Sequence, residues 1–328
     1  MAGIKIIWGA GSLMYDTSYP TPESVNEVLD VLQANGIKTL DTAKIYDKSE
    51  ELLGKVHADS RFTIDSKYPG GLSAEASSPE SLVATLNESL ARLQTDQLDV
   101  YYMHAPDRRS STEDLLASIN ASYQAGKFKR FGLSNYLAEE IEEVIRICRE
   151  KNYVVPSVYQ GNYSAVARRG EKLIFPTLRK HNISFYAYSP IAGGFLTKDV
   201  ATLVSGGEGR WDPNSLYGGL YNSLFNKPDM LKGLEQWEKI SKDSGISKAE
   251  LAYRWVAYNS ILKEELGDGV IVGSRNVEQL KQTLAALSKG PLSADIAAQI
   301  EQVWKIVEAD SPLDTFNGLV QSDKVSEA

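Results

Sequence analysis

Short apolar runs alternate with longer segments of helical period along most of the chain. "KIIWGA", "IKTLD", "RFTIDSK", "LDVYYMH", "FKRFGLS", "VPSVYQ", "ISFYAYS" and "GVIVGS" are rich in β-branched and aromatic residues and predict strands. Between them lie helix patterns with clear ends. In "TPESVNEVLDVLQANG" Thr21 can cap, Pro22 fits the first turn and Gly36 can stop the helix. In "SPESLVATLNESLARLQ" Ser78 caps, Pro79 starts, and Leu82, Leu86, Leu90 and Leu93 fall on one face. "KSEELLGKVH" and "TEDLLASINASYQAG" predict two more helices, the second ending at Gly126. Eight strands, each followed by a helix, require parallel pairing, because every return crossover passes through a helix.

Eight such units in 328 residues suit one closed (β/α)8 barrel over residues 1–328, an α/β fold of the TIM-barrel class with extra helices and C-terminal-face loops. A doubly wound open sheet is the alternative. Two segments stand outside the repeat: a glycine-rich insertion at about 204–230, read as a mobile loop over the site, and a tail at about 311–328. Composition (42% hydrophobic, 24% charged) is that of a globular protein. The formal charge of −8 disfavours nucleic acid as a partner. No apolar run approaches the roughly 18 residues of a membrane helix, and the N-terminus has no signal-peptide pattern. The single cysteine, Cys148, excludes an internal disulfide. These features lead to the expectation of a cytoplasmic protein, with homodimerisation left open.

A barrel directs attention to the C-terminal ends of its strands. Those ends deliver Asp41, Lys67, His104, Ser134 with Asn135, Gln160, and Tyr188 with Ser189. Six consecutive strands thus bring polar side chains to one rim. Burying a lone lysine or aspartate is costly, so Asp41 and Lys67 are expected to pair. Tyr46 lies five residues beyond Asp41. A phenol beside an ammonium is expected to lose its proton more readily, which suits a general acid. His104 is placed to hydrogen-bond a carbonyl oxygen. The set suits protonation of an oxygen that gains negative charge. It does not suit nucleophilic attack, since no Ser or Cys elbow is paired with a histidine. No G-x-G-x-x-G fingerprint or P-loop occurs. The only histidines, His57, His104 and His181, form no H-x-H or H-E-x-x-H motif, so no metal is expected.

"LDTAKIYDKSEELLG", "YYMHAPD", "FGLSNY", "VYQGNY", "FYAYSPIAGGFLTK" and "VIVGSRNVEQLKQTL" together resemble the aldo-keto reductases, in order and spacing over about residues 4–310. "VYQGNYSAVAR" and "SPIAGGFLTK" are similar to the branch of aflatoxin-aldehyde and succinic-semialdehyde reductases. The resemblance implies an NADP-dependent (NADPH/NADP+) reductase of aldehydes and ketones with a tetrad of Asp41, Tyr46, Lys67 and His104, Tyr46 being the acid. It implies that Ser134, Asn135 and Gln160 hold the nicotinamide carboxamide and that Tyr188 stacks on its ring. Ser189, Ile191, Gly193, Leu196 and Lys198 would wrap the pyrophosphate. Gly273, Ser274, Arg275, Gln279 and Gln282 would hold the adenosine end, with Ser274 and Arg275 suited to a 2′-phosphate. Thr283 stands where the family commonly has Asn.

For the substrate, Met14, Tyr15, Tyr68, Arg210 and Trp211 are the candidates, an aromatic set that favours an apolar or aromatic carbonyl compound. The branch often uses an arginine near the C-terminus for carboxylated aldehydes. The tail here, "SPLDTFNGLVQSDKVSEA", has none, which leaves Arg210 as the candidate for that role. Two other classes share the fold. One is an NADPH-binding redox-sensing subunit like the potassium-channel β subunits. The other is a metal-dependent barrel hydrolase or lyase.

Overall fold

The computed structural model describes residues 3–15, 18–205, 211–212 and 216–318. Eight parallel strands close into a barrel in sequence order, and β8 returns to pair with β1 through Lys5↔Gly269 to Trp8↔Val272. They are β1 (Lys5–Gly9), β2 (Thr39–Asp41), β3 (Thr63–Tyr68), β4 (Leu98–Met103), β5 (Phe128–Ser134), β6 (Val158–Asn162), β7 (Ser184–Tyr188) and β8 (Gly269–Val272). Each coincides with one of the predicted strands, and closure decides for the barrel against the open sheet.

The helices begin where the capping chemistry places them. In α1 (Pro22–Ala34) the Thr21 hydroxyl accepts from Ser24 N, and Gly36 follows with φ 73°. α2 spans Ser49–Lys55. In α3 (Pro79–Leu93) Ser78 and Ser81 cap each other reciprocally, a device worth about 1 kcal/mol per cap. Leu82, Leu86, Leu90 and Leu93 of α3 are all buried against the barrel. α4 (Thr112–Gln124), α5 (Ala138–Glu150), α6 (Gly170–Leu173) and α7 (Phe175–Lys180) continue the ring. Then come α8 (Val200–Val204), α9 (Leu216–Phe225), α10 (Pro228–Ser244), α11 (Lys248–Arg254), α12 (Val277–Ser288) and α13 (Ala294–Val307).

Apolar burial divides into two layers. The larger lies between strands and helices; the smaller fills the barrel with Ile7, Val100, Tyr102, Val158, Tyr186 and Ile271. Gly132 of β5 makes room for this filling: a Cβ there would lie 2.3 Å from the Tyr102 ring. Parallel register then aligns the strand ends. Asp41 sits opposite Asp65, Lys67 opposite Tyr102, Ser134 opposite Gln160, and Asn162 opposite Tyr188.

Parts of the insertion are among the described residues. Leu216–Phe225 is helical, and Trp211, Tyr221 and Phe225 pack with Phe195 in an aromatic cluster. Residues 206–210 and 213–215 of it lie outside the described residues. Of the tail, residues 311–318 are described and fold back over the barrel mouth.

Candidate active site

Strand alternation sends Asp65 and Lys67 of β3 into the barrel and leaves Ile64 and Tyr68 facing the helices. Lys67 is fully buried. Its ammonium donates to Asp41 Oδ1 and Oδ2 at 2.8 and 2.7 Å and to Thr42 O at 2.6 Å. All three donors are therefore used, and none is left to bond the phenol directly. Tyr46 stands on the loop after β2 with Lys67 Nζ 5.3 Å from its ring centroid. His104 meets the Tyr46 ring edge-on, centroids 5.8 Å apart at 82°. The four tetrad residues, spread over 64 positions in sequence, thus share one pocket at the mouth.

His104 is held neutral. Burial, with the Lys67 charge adding to it, pushes its pKa well below the ordinary imidazole value. Its Nδ1 is buried without a hydrogen-bond partner among the described residues. A neutral imidazole carries one N–H donor and one acceptor nitrogen. The pocket therefore holds a phenol, an imidazole and a buried ion pair around one point, the set needed to receive an oxygen and protonate it.

Next to it, Ser134, Asn135 and Gln160 are all buried. Gln160 Nε2 donates to Asp41 Oδ1 at 2.8 Å, a link that the sequence reading did not contain. Asn135, in the left-handed region at φ 61°, donates through Nδ2 to His104 O (2.8 Å) and Ser134 Oγ (3.1 Å). Its Oδ1 accepts from the Tyr188 hydroxyl at 2.8 Å. Two groups stay uncommitted among the described residues: the Ser134 hydroxyl proton and Gln160 Oε1. One donor and one acceptor at neighbouring strand ends match the two halves of a carboxamide.

Beyond β7 the backbone turns through four residues of positive φ: Ser189 (56°), Ala192 (52°), Gly193 (63°) and Gly194 (99°). Ile191 is half-buried in this turn. Gly193 O accepts from Trp211 Nε1 at 3.1 Å, and a Cβ on Gly193 would lie 2.3 Å from the Tyr221 ring. Leu196 is fully buried and its carbonyl takes Trp237 Nε1, while Lys198 O takes Lys248 Nζ. The Ile191–Lys198 strap is thus fixed from behind by side chains of three other segments.

After β8, Gly273 is exposed with open space around its missing Cβ. Arg275 is exposed, and its guanidinium has no partner among the described residues. Its backbone N donates to Gln279 Oε1, so Gln279 shapes the turn into α12. Gln282 is exposed and bonds Glu278. Ser274 differs from expectation. It is buried, and its hydroxyl is shared by Trp8 Nε1 (3.3 Å) and Tyr19 OH (2.9 Å), which leaves Arg275 as the outward-facing group for a phosphate. Thr283 is buried as well.

The substrate candidates divide. Met14 and Tyr15 are half-buried at the end of the loop after β1. Tyr68 does not join them: it points outward, 4% exposed, with its hydroxyl on Ser81 of α3. Trp211 is 1% exposed and stacked on Tyr221, and its Nε1 supports the strap at Gly193 O. Arg210 lies outside the described residues. Among the described residues there is no cluster of three or more His, Cys, Asp or Glu able to hold a metal ion, and no helix long and apolar enough to cross a membrane.

Comparison with known proteins agrees with this geometry. The sequence model described as "Aldo/keto reductase family" matches residues 5–305. Oxidoreductase sirO of Leptosphaeria maculans is 37% identical over 294 residues, 89% of each chain. Aflatoxin B1 aldehyde reductase member 2 of Homo sapiens is 34% identical over 316 residues, 92% of this chain and 87% of its own. Aldo-keto reductase family 7 member A3 of Homo sapiens is 34% identical over 291 residues, 84% of this chain and 87% of its own.

Proposed function

Because the chain belongs to the aldo/keto reductase family and is an oxidoreductase acting on carbonyl groups, we propose that it reduces aldehydes or ketones to alcohols with NADPH, Tyr46 serving as general acid. The observation that carries this reading is the buried Asp41–Lys67 pair set against the Tyr46 ring, with neutral His104 across from it.

When bound, reduced nicotinamide supplies the hydride that the carbonyl carbon takes up. The chain supplies the rest. His104 donates its N–H to the carbonyl oxygen and holds it beside Tyr46. Tyr46 gives its phenolic proton to that oxygen, which becomes the alcohol. Lys67 lowers the energy of the phenolate left behind, since a cation favours a nearby anion. Asp41 keeps the ammonium in place and makes its burial tolerable. In the reverse direction the phenolate takes the proton back.

Ser134 and Gln160 present the donor and acceptor that suit the carboxamide. Arg275, unpaired at the start of α12, suits a 2′-phosphate, which supports NADPH over NADH. Met14 and Tyr15, half-buried at the end of the loop after β1, support an apolar or aromatic carbonyl substrate.

Titration of the protein with NADPH and NADH, followed by 4-nitrobenzaldehyde, tests the proposal. We expect NADPH to bind at least about tenfold tighter, a difference near 1.4 kcal/mol, and the aldehyde to consume it at once. Binding without consumption contradicts the reductase, and failure to bind either dinucleotide contradicts the cofactor as well.

A further inference from the structure

The tail segment Ser311–Gly318 folds over the barrel mouth. Two of its residues hydrogen-bond to residues proposed to hold the nicotinamide. The Tyr188 hydroxyl gives its one proton to Asn135 Oδ1, so toward the tail it can only accept. There it faces Thr315 Oγ1 at 3.3 Å and Thr315 N at 3.5 Å. Asn317 Nδ2 donates to the backbone oxygen of Asn135 at 3.1 Å. Asn135 in turn reaches His104 O and Ser134 Oγ. One chain of hydrogen bonds therefore runs from the tail through β7 and β5 to the loop that carries His104.

The tail is itself well fixed. Asp314, 5% exposed, accepts from Asn317 N and Nδ2 at 2.6 and 2.8 Å and closes the turn. Arg108 donates to Asn317 Oδ1 at 2.7 Å, lies over the Phe316 ring, and is anchored by Glu140 at 2.8 Å. Asn162 Nδ2 holds Leu313 O, and Ser311 Oγ holds Val166 O. The loops after β4 and β6 thus grip the segment, while Thr315 and Asn317 face the site. Tyr188 and Asn135 come from strands that are not neighbours, so their mutual bond does not by itself set where the Tyr188 ring lies. The tail adds a third attachment point and fixes it.

We propose that Thr315 and Asn317 are positioning residues of the dinucleotide platform, holding the Tyr188 ring and Asn135 so that the nicotinamide end of the cofactor is gripped only when the tail is docked. The proposal rests on the NADPH reading above and adds to it a segment more than 120 residues further along the chain than the strand end it positions.

Thr315→Val keeps the shape of the side chain and removes its hydroxyl. In the full-length protein it is expected to weaken NADP+ affinity, read from tryptophan fluorescence without turnover, by about three- to tenfold, the range of one hydrogen bond. The KM for NADPH should rise by the same factor while kcat falls by less than about twofold. Thr315→Ser should restore both. Tyr188→Phe, which also leaves Asn135 Oδ1 without its donor, should weaken NADP+ binding at least as much as Thr315→Val, and the double variant should be no weaker than Tyr188→Phe alone, because the Thr315 hydroxyl acts through that of Tyr188. Asn317→Ala, which frees the Asn135 carbonyl, should weaken NADP+ binding by a similar factor. Independent, additive effects of Thr315→Val and Tyr188→Phe would overturn the proposal, as would unchanged NADP+ affinity in both Thr315→Val and Asn317→Ala. A wild-type protein that binds no NADP+ refutes both this inference and the reading beneath it. A wild-type protein that binds normally beside unaffected variants refutes this inference alone.

Discussion

Two ionisable residues on one strand, Asp65 and Lys67, face the same barrel interior two positions apart, yet they meet opposite fates. Lys67, at the mouth, is enclosed by Asp41 and Thr42 O with every donor used. Asp65, one layer deeper, has a backbone N–H on Oδ1 (Val100, 3.1 Å) and nothing on Oδ2 among the described residues. Burial first, and then the nearby Asp41 and Asp99 charges, raise the Asp65 pKa to about 8; Lys5 and Arg130 at the base only partly offset this. So it is a neutral acid at pH 7 and cannot serve as a second counter-ion to Lys67. The difference teaches that burial by itself discharges a group, whereas burial with a matched partner keeps an ion pair where chemistry can use it. The phenol at the mouth sits beside the second kind of site. Tyr102, in the apolar filling of the barrel, sits in the first kind: its hydroxyl is unpartnered among the described residues and burial pushes its pKa far up.

Substitutions on either side of this contrast have graded effects. Lys67→Met should act most strongly. It leaves Asp41 buried without its cation, a loss of about 3–5 kcal/mol of stability in a denaturant titration. It should also remove about 10²–10⁴-fold of the reduction rate by disabling the acid. Gln160→Leu comes next. It deletes the hydrogen bond to Asp41 Oδ1 and should lower stability by about 1.5–3 kcal/mol, the range for bonds to charged groups. NADPH binding should weaken with it, because Gln160 Oε1 is lost as well; a change in only one of the two readouts would separate the roles assigned to that amide.

Asp65→Asn should act least on activity, within about twofold, and sharpens the comparison through pH. The folded protein keeps the Asp65 proton up to about pH 8, while the unfolded chain releases it near the ordinary carboxylate value. The folded state therefore binds the extra proton between these limits, and stability falls as pH rises through them. Asp65→Asn should melt with the wild type near pH 4 and several degrees above it near pH 8. Parallel melting curves at both pH values would mean that Asp65 is ionised in the fold and that the contrast with Lys67 is wrong.

Much of the barrel was legible because its signals are local. Thr21–Pro22 and Ser78–Pro79 fix helix starts, and the spacing of Leu82, Leu86, Leu90 and Leu93 fixes a face. Parallel register then brings strand ends level, so Asp41, Lys67, His104, Ser134 and Gln160 could be grouped before any contact was known. Alternation carried information that the sequence reading left unused. Once Lys67 points inward, Tyr68 must point outward and Asp65 inward. Other features had no local signal. The bond of Gln160 to Asp41 spans 119 residues, and those from Thr315 to Tyr188 and Asn317 to Asn135 span 127 and 182. Polar residues in a tail read as solvated until the surface beneath them is seen. Trp211 is the opposite case: glycine-rich surroundings suggested an open loop, while its ring is covered by aromatics from the strap and α9.

The central claim is that one phenol, beside one buried ion pair, delivers the proton. Tyr46→Phe removes that proton and leaves the ring contacts with Lys67 and His104 in place. Single-turnover reduction of an aromatic aldehyde by NADPH-saturated protein, with dinucleotide affinity measured on the same sample, tests it most directly. The account predicts a rate lower by about 10²–10⁴-fold at unchanged affinity; a rate within about tenfold of the wild type would contradict it.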